Sequence, residues 1–151
     1  MDDELQKELE EIEAMFVQTA RRMTKNDGSV TFHDLSPATL FFSDRPQRVV
    51  GHLTAKQFVE EWSLGENSFA EDPPNAVISF LAEGDVTPED AIVVLKDPRL
   101  EGTSITYAIE MLEGSLPASA ESCSVFIDPF GRPLSPMSVA GVRRRQRRRG
   151  I

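Results

Sequence analysis

Thr103-Ser104-Ile105-Thr106-Tyr107-Ala108-Ile109-Glu110-Met111-Leu112 is the stretch whose reading decides the fold. Ile105, Tyr107, Ile109 and Met111 alternate with Thr106, Ala108 and Glu110. A period of two sends successive side chains to opposite faces, so the segment reads as a strand with one greasy side. The same spacing recurs upstream, where Val30 and Phe32 alternate with Thr31 and His33, and downstream, where Cys123, Val125 and Ile127 share one side. Ala76 to Ala82 and Ala91 to Leu95 are apolar throughout, which predicts strands covered on both faces. Asp97 to Gly102 is expected to turn the chain into the 103–112 strand.

Turn chemistry joins these pieces. Lys25-Asn26-Asp27-Gly28 separates Phe16–Thr24 from Ser29–Leu35, and Asp-Gly supplies the positive φ that a tight hairpin needs. Pro37 interrupts, and Thr39-Leu40-Phe41-Phe42-Ser43 follows as a short apolar strand. One internal helix is signalled at Leu53-Thr54-Ala55-Lys56-Gln57-Phe58. Thr54 fits the N-cap, Gln57 the reciprocal capping position, and Leu53 with Phe58 the hydrophobic staple. The helix is expected from about Thr54 to Trp62, burying Phe58, Val59 and Trp62. Helices between most strands are missing, so a parallel α/β fold is excluded. The expectation is a mainly β chain, an antiparallel β-sandwich or open barrel of about 7–8 strands, with this short helix and an N-terminal one.

The 151 residues suit one core. Residues 1–14 read as an acidic amphipathic helix with Leu5, Leu9, Ile12 and Phe16 at helical spacing, which docks, frays or meets a partner chain. Residues 15–142 form the β domain, and 143–151 an arginine-rich tail. The net charge of -9 conceals an asymmetry: Arg143, Arg144, Arg145, Arg147, Arg148 and Arg149 account for six of 16 basic residues. What precedes them is strongly acidic and repels nucleic acid, whereas the tail attracts it.

Several chemistries drop out. Cys123 is the only cysteine, which removes intramolecular disulfides and cysteine-rich zinc sites. His33 and His52 are too few for a three-histidine metal centre. No phosphate loop, dinucleotide fingerprint, zinc-protease motif or nucleophile elbow occurs, so no metal and no cofactor is assigned. No apolar run is long enough for a membrane-spanning helix. The start Met1-Asp2-Asp3-Glu4-Leu5 does not resemble a secretion signal, so the chain reads as cytoplasmic as numbered, and as extracytoplasmic if a signal was removed from a precursor.

Polar residues concentrate in three places. In the first, running from Ser43 to His52, Asp44, Arg45, Arg48 and His52 suit an anionic group, or Asp44 caps its own turn while an arginine pairs across the loop. The second is the connection from Trp62 to Asn75, where Asp72 and Asn75 are hard oxygen donors or ordinary turn residues. In the third, Phe126 to Pro136, Asp128 and Arg132 leave a strand; if the loops meet, Asp44, His52 and Asp128 are acid/base candidates.

Taken together, Thr39 to Pro46, Gly51-His52, Phe58-Val59 with Trp62, Ser68-Phe69, Asp72 to Ala76 and Phe126-Ile127-Asp128 resemble a widespread uncharacterised family of small, β-rich bacterial proteins. The resemblance runs from about Phe16 to Arg144. It implies one domain, in a family whose members often look secreted or lipid-anchored, and it implies no mechanism. The first functional expectation is a non-catalytic binding or assembly module for a protein partner or a homo-oligomer. The alternatives are a small-ligand binder or hydrolytic enzyme using the polar loops, and RNA binding through the arginine tail.

Overall fold

The computed structural model describes residues 15–43, 48–63, 68–82 and 89–128. The N-terminal helix expected over 1–14, the arginine tail, and Asp44, Arg45 and Arg132 lie outside the described residues. The elements are β1 (Met15–Asn26), β2 (Ser29–Leu35), β3 (Ala38–Ser43), β4 (Val49–Thr54), α1 (Ala55–Glu61), β5 (Asn75–Ala82), β6 (Glu89–Glu101), β7 (Ser104–Glu113) and β8 (Ser119–Asp128). Every pairing is antiparallel, and the sheet order is β2-β7-β6-β5-β8-β1-β3-β4. An added β1–β2 pairing closes six strands into a barrel and leaves β3 and β4 outside it. The barrel is therefore closed rather than open.

Strand β1 makes this possible by dividing one of its edges. Residues from Ala20 to Asn26 pair with β2, while Met15 to Val17 pair with β3. Between the two partners the chain jogs at Ser36-Pro37: the Leu35 amide donates to Thr103 O at 2.8 Å and the Ser36 amide to Thr19 O at 2.8 Å. Pro37 has no amide to offer a ladder, so a break falls there at little cost. The β1–β2 turn is the expected Asp27-Gly28, with Gly28 at φ 70°.

Two expectations need correction. Asp97-Pro98 does not turn the chain, because β6 runs on to Glu101 and the two-residue turn is Gly102-Thr103. Asp97 instead takes φ 49° where the β6–β7 register shifts between Lys96 and Arg99. The irregularity is a bulge, which bends a strand without ending it. The segment after Arg48 is not loop as far as His52 but strand β4, paired in continuous register with β3 from Ser43↔Val49 to Ala38↔Thr54. Gly51 is needed there because a Cβ would lie 2.7 Å from Cζ of Phe41, its cross-strand neighbour.

Alternation fills the barrel. Val30, Phe32, Ile78, Val93, Leu95, Ile105, Tyr107, Val125 and Ile127 are buried within the main core. Met111 shares the alternation but is partly exposed, since the β2–β7 register reaches only Ala108 and leaves the end of β7 without that neighbour. Helix α1 has the predicted capping box, with the Gln57 amide donating to Thr54 Oγ1 at 3.0 Å and the Thr54 amide to Gln57 Oε1 at 2.9 Å. It delivers Phe58 and Trp62 into the core, where they meet Phe69 from the following loop and Phe16 from β1. The edge-to-face packing of this group suits the ring quadrupoles, and Phe16 alone touches Phe41, Phe58 and Phe69.

Candidate functional site

Register places the predicted polar residues. Asn75 opens β5 and pairs with Asp128, the last residue of β8, so these two are neighbours. Asp72 lies three residues earlier in a turn in which Ser68 O accepts the Asp72 amide at 2.9 Å and Ser68 Oγ the Glu71 amide at 3.3 Å. Arg48 is exposed beside β4, and His52 is exposed on β4 opposite Leu40. Strands β1 and β3 stand between β8 and β4. Three strand spacings amount to about 14 Å, beyond the hydrogen-bond reach that proton transfer between His52 and Asp128 needs. Among the described residues no group of three or more His, Cys, Asp or Glu is placed to hold a metal ion.

The outer surface of the sheet has two characters. Across β1, β2 and β7 it is hydroxyl-rich: Thr31 and Thr106 share a hydrogen bond of 2.9 Å, and His33 sits between Thr24 Oγ1 at 2.8 Å and Ser104 Oγ at 3.5 Å. Alternation alone put Thr31 and His33 outward. Their partners lie up to 75 positions away and needed the register to be found.

The other side is apolar. One row crosses six strands, pairing Ile92 with Val77, Val77 with Phe126, Phe126 with Val17, Val17 with Leu40 and Leu40 with His52. In the adjacent row Phe42 pairs with both Met15 and Val50. The two ends of this surface differ. Val77 and Ile92 are 1% and 4% exposed, whereas Leu40, Phe42 and Val50 are 48%, 41% and 77% exposed. The exposed group forms a ledge on the β3–β4 hairpin, beyond the strands that close the barrel. Sequence reading missed the ledge because it missed β4, although the β-branched pair Val49-Val50 was a usable signal.

In the core one polar chain is built from direct side-chain hydrogen bonds. The Tyr107 hydroxyl donates to Gln18 Oε1 at 2.6 Å, and Gln18 Nε2 donates to Thr39 Oγ1 at 3.2 Å. Burial holds the Tyr107 phenol far above its ordinary pKa, a rise that its bond to Gln18 only partly offsets. Such a chain satisfies groups that are otherwise costly to bury and fixes the relative positions of β1, β3 and β7.

Cys123 is buried, and its Sγ lies 3.8 Å from Ala20 O. Desolvation pushes the thiol up to about 12, with the backbone contact opposing weakly. A thiol this far from ionisation is a poor nucleophile. Iodoacetamide at pH 8 is therefore expected to leave Cys123 unmodified in the folded chain and to label it in urea; prompt labelling without denaturant contradicts this placement. The folded pKa is raised, so the associated stability is intact below the ordinary thiol pKa near 9 and is lost as pH climbs from there toward 12.

No helix among the described residues is long and apolar enough to cross a membrane. Comparison of the chain with protein-family models, curated proteins and solved structures finds no match in any of the three.

Proposed function

We propose that this chain is a non-catalytic binding module that engages a protein partner through the β3–β4 ledge. The observation that carries the reading is the exposure of Leu40, Phe42 and Val50 together on a hairpin outside the closed barrel. Isolated exposed apolar residues are ordinary on protein surfaces, whereas a contiguous group of them on one hairpin marks a contact surface.

The edge beside the ledge narrows the kind of partner. Among the described residues β4 is the last strand of the sheet order, and Val49-Val50-Gly51-His52-Leu53-Thr54 contains no lysine, proline or register shift of the kind that blunts exposed edges. Such an edge favours an extended segment that adds a strand, with side chains entering the ledge at alternate positions. Ten basic residues against 25 acidic ones before residue 143 make a second copy electrostatically unfavourable and a neutral or basic partner segment favourable.

A quantitative pull-down comparing the wild-type chain with Phe42→Glu/Val50→Glu tests the reading. A protein retained by the wild type, lost with the double variant and weakened by added salt is the expected outcome. If every protein retained by the wild type is retained equally by the variant, or if none is retained, the ledge is not a docking surface.

A further inference from the structure

Two amides at one end of the β3–β4 pairing fix which way β4 turns its backbone. Ala38 and Thr54 are partners in the register, yet the Ala38 amide donates to Ser36 Oγ at 3.4 Å and the Thr54 amide to Gln57 Oε1 at 2.9 Å. Neither amide is spent on the other strand, so Ala38↔Thr54 is a pair that does not exchange hydrogen bonds. Along an antiparallel ladder the bonded and unbonded pairs alternate. Thr39↔Leu53, Phe41↔Gly51 and Ser43↔Val49 therefore carry the bonds, and Val50 and His52 turn their N–H and C=O groups away from β3. No strand among the described residues lies on that side, since β4 ends the sheet order.

The same alternation sets the shape of the ledge and the length of the edge. Phe42↔Val50 and Leu40↔His52 fall in the unbonded class, in which Cα atoms approach to about 4.5 Å and side chains are closest, so these four residues make one surface. The edge itself is short. It stops at Thr54, whose amide belongs to the capping box and where the chain turns into α1. Within β4 a visiting strand finds the two N–H and two C=O groups of Val50 and His52. Main-chain bonds exchanged against water are individually weak, so these alone do not hold a partner and apolar burial on the ledge must supply the rest. Resting on the ledge reading above, we propose that the partner is an uncharged or basic extended segment that hydrogen-bonds to Val50 and His52 and carries a bulky apolar residue facing each. Those two partner residues are separated by one position, because matched pleats place alternate side chains on the ledge face. The residue between them points to the other face, beside Gly51 and the Phe41 ring. Acidic residues outnumber basic ones among the described residues, which disfavours an acidic segment.

Amide hydrogen exchange in the full chain, read residue by residue by NMR, tests the free edge first. Val50 and His52 are expected to exchange at nearly the rate of an unstructured chain, and Gly51 and Leu53 at least about a hundredfold more slowly. Protection of Val50 and His52 in the free chain overturns the proposal. The binding probe is a peptide blocked at both ends, Lys-Thr-Val-Thr-Val-Thr-Lys, beside a version with serine in place of both valines. At saturation the valine peptide is expected to slow exchange at Val50 and His52 about tenfold or more, and the serine version to leave it unchanged. Binding is expected to be about tenfold weaker in His52→Pro than in His52→Ala, since proline removes one N–H on the side where an edge strand tolerates it. Equal binding by these two variants overturns strand addition, and the ledge reading survives if Phe42→Glu/Val50→Glu still abolishes binding. Equal slowing by both peptides overturns the apolar requirement and the ledge reading with it, and slowing by neither overturns the whole proposal. Should His52→Pro make Cys123 reactive, and so fail to fold, the exchange rates of the native chain with the two peptides decide alone.

Discussion

Trp62→Ala is expected to lower the unfolding free energy by about 3–5 kcal/mol, the range for removing a large aromatic side chain from a packed interior. Trp62 is 5% exposed and packs against Phe58 at 5.8 Å, Phe69 at 5.0 Å and Tyr107 at 5.9 Å between ring centroids. Its carbonyl also accepts the Ala70 amide at 3.0 Å, so the residue joins α1, the following loop and the barrel interior. The seven-residue helix has no basic residue in its last turn and no acidic one in its first. Its attachment therefore rests on burial, which this substitution removes. For a domain of this size the loss corresponds to a fall in Tm of roughly 10 °C. Urea titration followed by circular dichroism measures it, because the change deletes the only tryptophan. A loss below about 1 kcal/mol shows that α1 is an appendage and not a wall of the core.

The second large effect concerns the buried polar chain. Gln18→Leu keeps a side chain of similar bulk in place but leaves the Tyr107 hydroxyl and Thr39 Oγ1 without the partner that joined them. Stranding buried polar groups costs about 1–3 kcal/mol each, so a loss of about 2–6 kcal/mol is expected. Tyr107→Phe strands only Gln18 Oε1 and is expected to cost about 1–2 kcal/mol. In the double variant the phenol and the amide disappear together, and its cost should fall short of the sum of the singles by about 1 kcal/mol or more. Equilibrium unfolding of the four proteins closes the cycle. Simple additivity is the result that removes any special role for the Tyr107–Gln18 bond.

The strands that alternate were legible because burial in a closed sheet imposes the period that Ile105, Tyr107 and Ile109 display. The α1 N-terminus was legible for a different reason: a capping box is a local hydrogen-bond device whose two members lie three positions apart. The ledge was not legible. Val49 and Val50 precede a glycine that exists to admit the Phe41 ring, and this relation appears only once β3 and β4 are in register. Closure itself was illegible, since it depends on β1 serving β8 along one edge and two successive partners along the other. Nothing local in the sequence singles out Gln18 or Thr39 as buried, and the arrival of Tyr107 from 89 positions away is what pairs Gln18. Among the predicted site residues, Asn75 and Asp128 met because they end adjacent strands, a relation that strand order alone could reveal.

The double service of β1 has a consequence for biosynthesis. Phe16 must find Ile127, and Ala76 must find the same residue from the other side. The final ring-closing step thus waits for a segment made about a hundred residues after β1. Non-local pairing of this kind folds on a millisecond-to-second scale, while ribosomes add about 5–20 residues per second. For about one to three seconds after β7 is made, the edges of β1 and β5 wait bare for β8, and it is then, before β8 slots between them, that the polypeptide is most open to adhesion by other chains.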